Sequence, residues 1–223
     1  MRIPFMPMTF ALLFSIFVMP NLMSAQEKFE HGPAIPDASG IRLGLSQEKN
    51  PDGRPRVVVT VDDYFKFGVG TTWTYKKTSQ HGDGDNGMVQ FSTFDAKVTK
   101  VGPKGEVFMG EFALYIDGDY LIAGTPAEDG SLVGNLRVMK TGMKAGDTWD
   151  GMVAETSEEV KATFVGFEEI TTPAGKFQAV HVQYTSKGVT MNFWHVAKVG
   201  MVKLTVKTDN FGSEQVLQKY TIK

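Results

Sequence analysis

Four histidines, three tryptophans and no cysteine set the chemistry open to this 223-residue chain. His31, His81, His181 and His195 stand at no metal-ligand spacing, and no HExxH pair is present. His195 beside Trp194 is the histidine best placed for a site. On an extended strand it ends an apolar row of Val189, Met191 and Phe193, while Thr190, Asn192 and Trp194 take the other face. A general base needs a polar partner within hydrogen-bonding reach, and that row supplies none. A hydrolase reading would therefore have to pair His195 with a carboxylate from another strand, such as Glu168 or Glu169. Adjacent carboxylates on one strand face opposite ways, so neither Glu158-Glu159 nor Glu168-Glu169 can act as two acids on one substrate. No GxSxG elbow exists, and without cysteine there is no thiol nucleophile.

The loop Gly82-Asp83-Gly84-Asp85-Asn86-Gly87 matches GxGxxG in form only. Asp83 and Asp85 would repel a pyrophosphate, and the segment that follows is β-forming, so no helix N-terminus is there to hold one. The oxygens of Asp83, Asp85 and Asn86 make a weak calcium candidate, with Phe94 standing where an EF-hand places its bidentate Glu. No cofactor is expected. The aromatic residues that could meet a ligand are Trp194 and Trp73, together with His195. The competing role for each tryptophan is as a core anchor.

These residues are carried by strands. From Phe164 to Val206 the pattern predicts four, joined by turns at Pro173–Gly175, Lys187-Gly188 and Lys198–Gly200. Val180, Val182 and Tyr184 share one face there, with Ala179, His181 and Gln183 on the other; Val202, Leu204 and Val206 alternate with Lys203, Thr205 and Lys207. Such a meander has one dry and one wet face. Upstream, the run from Val107 to Ile116 predicts a central strand covered on both faces. Gly70-Thr71-Thr72-Trp73 is echoed 76 residues later by Gly146-Asp147-Thr148-Trp149, which suggests two related halves. No amphipathic helix of ten or more residues is expected after residue 25.

Residues 1–25 read as a cleaved signal peptide: Arg2, an apolar run from Phe10 to Val18, then Ser24-Ala25. The run is too short to span a bilayer, so no stable membrane insertion is expected after cleavage. With no cysteine to acylate, the product is expected to be periplasmic or extracellular and not a lipoprotein. Residues 26–56, rich in Pro, Gly and charge, read as a flexible leader, and 57–223 as one β domain. Without Arg2 the chain holds 22 basic against 25 acidic residues, a net of −3, which argues against a nucleic-acid partner.

The succession GTTWTY, GDTW, VGFEEITTPAGKFQAVHV, a Trp-containing strand and KVGMVKLTV resembles a family of uncharacterised secreted or lipid-anchored bacterial β-domains, distantly like the half-barrels of lipoprotein carriers. The resemblance implies an antiparallel, strongly curled sheet, a half-barrel or open barrel, with no assigned reaction. The expectation that follows is a non-enzymatic protein that binds an apolar or amphipathic small molecule, or an envelope protein, in the concavity of its sheet. The alternatives are the His195 hydrolase and a structural envelope component acting through a strand edge.

Overall fold

Alternating β-branched, aromatic and polar residues make this chain a succession of strands, because each such side chain packs on one face of a pleated surface. The computed structural model describes residues 46–49, 55–82, 88–127, 132–152 and 159–223. The expected signal peptide, most of the leader, and the calcium candidates Asp83, Asp85 and Asn86 lie outside them. Across the end of the leader, β1 (Ser46–Lys49) pairs antiparallel with β2 (Pro55–Val58), which runs over the boundary expected at residue 57. Only one helical turn occurs among the described residues, a single 3-10 turn at Val61–Tyr64.

Thirteen strands follow in two antiparallel sheets. In chain order they are β3 (Thr72–His81), β4 (Met88–Lys97), β5 (Lys100–Val101), β6 (Val107–Met109), β7 (Phe112–Asp117), β8 (Tyr120–Pro126) and β9 (Leu132–Lys140). Next come β10 (Thr148–Asp150), β11 (Lys161–Thr172), β12 (Gly175–Ser186), β13 (Val189–Val196), β14 (Gly200–Lys207) and β15 (Phe211–Thr221). The larger sheet has eight strands in the order β10-β11-β12-β13-β14-β15-β3-β4, and the smaller has five, β5 to β9 in sequence. The antiparallel all-β class is as expected. The curl is not: neither sheet is closed or strongly curled, and the eight-stranded sheet ends on β10 and β4. A ligand site is therefore to be sought on a face or groove of the sheet.

The meander β11–β14 turns where the sequence places its breakers. Thr172 pairs with Gly175 around Pro173-Ala174, and the Thr172 hydroxyl accepts the Ala174 N–H at 3.1 Å. Ser186 pairs with Val189 around Lys187-Gly188. The single strand expected from Val107 to Ile116 is instead a hairpin, β6 and β7, closing at Gly110-Glu111 with Gly110 at φ 63°. The run is apolar at both parities, Val107, Met109 and Ala113 as well as Phe108, Phe112 and Leu114, so periodicity shows no break at the turn; only glycine's tolerance of positive φ marks the reversal.

The core lies on one face of the larger sheet. Phe164, Val182, Tyr184, Phe193, Leu204 and Leu217 are all buried there. Tyr184 shares its hydroxyl proton between the carbonyls of Arg137 and Val138 on β9, each at 2.8 Å, which ties the two sheets together. Burial holds that phenol well above its ordinary pKa, so it remains a donor.

The Trp phrases build the same turn twice. Gly70 and Gly146 take φ 91° and 90°. Gly70 donates its N–H to the Val98 carbonyl and Gly146 to that of Phe164; Val98 and Phe164 return N–H bonds to Thr71 and Asp147. Two residues on, Trp73 faces Ala96 and Trp149 faces Ala162 across the ladder. Each indole N–H donates to a backbone carbonyl, Trp73 to Val199 at 2.5 Å and Trp149 to Arg137 at 3.1 Å.

Candidate functional site

On the meander's other face, polar side chains from four strands are joined edge to edge. Their positions follow from register. His181 lies opposite Trp194, Trp194 opposite Lys203, Gln183 opposite Asn192, and Asn192 opposite Thr205. Glu168 joins them because β11 carries a bulge: Phe164 pairs with Val182 but Gly166 with His181, leaving Val165 over. One extra residue reverses the facing of everything after it, so Glu168, opposite Ala179, shares the face of His181. Phe164 and Phe167, three apart, both reach the core and meet edge to face at 5.5 Å.

The His181 ring is the centre of this cluster. Its Nδ1 lies 2.8 Å from Glu168 Oε1 and its Nε2 2.9 Å from Asn192 Oδ1. Asn192 Oδ1 also accepts from Gln183 at 3.1 Å, and Asn192 Nδ2 donates to the Thr205 hydroxyl at 3.2 Å. Trp194 stacks on the imidazole, centroids 4.5 Å apart, and donates its indole N–H to Glu168 Oε2 at 2.8 Å. Lys203 places its ammonium 5.4 Å from the Trp194 ring and pairs with Glu214 at 2.7 Å. Burial pushes the Glu168 carboxyl up, but hydrogen bonds from Trp194 and His181 and the attraction of His181 and Lys203 outweigh it, leaving the group below its ordinary value. Glu168 is an anion held by donors, with its side chain 41% exposed.

Beside this cluster, at the β14–β15 turn, lies an open groove of about 560 Å³. Asn192 and Thr205 belong to both. Thr190, Lys207 and Gln80 add further polar groups to its lining, and Val206 and Phe211 add apolar surface.

The residues singled out in the sequence are dispersed. Trp194 sits in the polar cluster, 9% exposed. His195 is on the opposite face, buried against Phe193 at 6.0 Å, with no hydrogen-bond partner at Nδ1. Burial lowers its imidazole to about 4. Trp73 is in the core, its indole bonded to Val199 and its ring met by the edge of Phe67 at 4.9 Å. Glu168 is thus across the sheet from His195, and Glu169 pairs with Lys176 at 2.6 Å, so the structure assembles neither hydrolase pair. His181, Gln183, Asn192, Lys203 and Thr205 are the residues that sequence reasoning passed over. Their signal was the wet side of the alternation, but only register shows that they touch. Among the described residues no cluster of His, Asp or Glu could hold a metal ion.

No family model matches the chain, and no curated protein does. Among solved structures it is similar to the "putative exported protein with YmcC-like fold" of Bacteroides fragilis NCTC 9343, at 14% identity and a TM-score of 0.44, over 71% of this chain and 98% of that one. It is also similar to the "putative lipoprotein" of Parabacteroides distasonis ATCC 8503, at 16% identity and a TM-score of 0.39, over the same shares. Both likenesses are too distant to carry function. No helix among the described residues is long and apolar enough to cross a membrane.

Proposed function

We propose that this chain is an exported, non-enzymatic binding domain that takes an amphipathic small molecule in the groove beside the Glu168–His181–Asn192 cluster. One observation carries the reading: Asn192 and Thr205 line the groove while also bonded into the cluster. Polar groups held in advance lose little freedom when a ligand meets them, and the neighbouring Val206 and Phe211 offer it apolar surface. Support for a non-enzymatic role comes from His181, whose two ring nitrogens both face oxygens of the protein itself and leave no nitrogen for a substrate. Export rests on the basic start, short apolar run and Ser24-Ala25 of the N-terminus.

The test is mass analysis of organic extracts from protein purified out of its native host, alongside Thr190→Trp, which fills the groove from a residue that makes none of the cluster's hydrogen bonds. The expected result is a co-purifying amphipath that Thr190→Trp loses. Extracts identical for the two proteins, or free of any stoichiometric compound, would overturn the reading.

A further inference from the structure

The outer side of β4 is unpaired among the described residues; β3 holds its inner side. Proteins blunt such edges with proline, inward charges or very short strands. β4 uses none of these: it has ten residues and no proline, and Met88–Phe94 carries no charge. Met88 is 60% exposed, Val89 47% and Phe91 67%. The direction of its backbone follows from the next two residues. Val98 bonds through N–H and C=O to Thr71 and Gly70 on the β3 side, whereas Thr99 donates to Phe108 on the other side. Alternation back along β4 aims the N–H and C=O of Val89, Phe91 and Thr93 outward.

We propose that this edge pairs with β4 of a second copy of the chain, antiparallel, about a two-fold axis at Phe91. That register sets Phe91 against its own copy, Met88 against Phe94, Val89 against Thr93 and Gln90 against Ser92, with no charge in any pair. The outward residues are then those that exchange N–H···O bonds, about six in all. Asp95 and its copy fall at opposite ends of the ladder, roughly 25 Å apart at a strand's rise and beyond the Debye length, so these carboxylates do not oppose the pairing. The nearest like charges to the axis are the two Lys76 ammoniums, each 5.4 Å from its own Phe91 ring and solvated on the open face. A two-fold axis normal to the sheet makes the contact isologous and self-limiting. It also carries both His181–Trp194 clusters to the same face of one continuous sheet.

The chain contains no cysteine, so Phe91→Cys is a sole thiol. Hydrogen-bonded antiparallel pairs set Cα atoms about 5.5 Å apart, within disulfide geometry. Phe91→Cys is expected to form a covalent dimer under mild oxidation well ahead of Val165→Cys on β11. Sedimentation of the exported chain over a concentration series is expected to show a monomer–dimer equilibrium. Phe91→Pro removes an outward N–H and spares the β3 ladder, so it is expected to weaken that equilibrium about tenfold or more. If Phe91→Pro loses its far-UV circular dichroism, Phe91→Lys, which sets like charges face to face at the axis, takes its place. A chain monomeric throughout, including one whose β4 instead holds a different protein, overturns the proposal. So does Phe91→Cys cross-linking no faster than Val165→Cys, or a dimer indifferent to both Phe91 substitutions.

Discussion

The two ends of the eight-stranded sheet begin from one device and finish differently. At each, a glycine near φ 90° starts a turn, and a tryptophan three residues on faces an alanine across the ladder. At the β10 end the strand stops after three residues, and Trp149 and Arg137 clasp it to β9; Arg137 donates to the carbonyl of Met152 at 2.7 Å. At the β4 end the hairpin runs on for ten residues with its outer side unpaired among the described residues. Local sequence therefore builds the turn, and what lies beyond it decides whether the edge is covered. Trp73 is sealed by the Val196–Gly200 turn through Val199, and Trp149 by the neighbouring sheet through Arg137.

Removing a seal should have the largest effect. Trp149→Ala is expected to cost about 3 to 5 kcal/mol, and Trp73→Ala a similar amount, because each empties a buried indole site and removes the indole's bond to a carbonyl. Urea unfolding of both variants checks this; an unmoved midpoint for either would break the equivalence of the two ends.

Acid should act through His195, which lies on β13 between Val180 of β12 and Met201 of β14 and so belongs to neither end. Burial holds its imidazole at about 4 against an ordinary 6.5, so the native state binds this proton less well than the unfolded chain. The stability this represents is complete above about pH 6.5 and is lost as the pH falls to about 4. The loss comes to about 3 kcal/mol. Unfolding of wild type and His195→Leu at pH 7 and pH 4 should show the wild type losing more by that margin. Parallel losses would place the acid sensitivity elsewhere.

Gly70→Ala and Gly146→Ala sharpen the comparison. An added Cβ has open space at Gly146 and ordinary contact with Lys223 at Gly70, so the cost at both is the backbone conformation alone, about 1 to 2 kcal/mol. Thermal melts differing by more than about 1 kcal/mol would mean that the two turns are not the same structure.

The smallest effect belongs to the turn that seals Trp73. Lys198 there sits at φ 62°, a left-handed conformation that costs a side-chain residue energy. Lys198→Gly should raise stability by about 0.5 to 1 kcal/mol, visible as a higher denaturant midpoint. A lower midpoint would show that the lysine's aliphatic stem matters more than its backbone strain.

Much of this could be read from the chain alone. Pro173, Gly175, Gly188 and Gly200 punctuate the meander because few other residues accept those turns, and a period of two assigned Val182, Tyr184, Phe193 and Leu204 to the dry face. The same period put Trp194 and His195 on opposite faces, as they are. Periodicity did not see the reversal at Gly110, since the run around it is apolar at odd and even positions alike.

The site was less legible. His181, Asn192 and Thr205 each read as wet-face residues, but residues on different strands meet only through register, a relation between segments that no single segment encodes. The Glu pair makes the point most clearly. Glu168 and Glu169 are chemically alike, and alternation says only that they part. The bulge at Val165 sends Glu168 to His181 and Trp194 and leaves Glu169 to Lys176. Short-range sterics fix strand, turn and face from the sequence itself; the partner of each polar group depends on one slipped residue in a ladder, and so it is settled only when the strands pack.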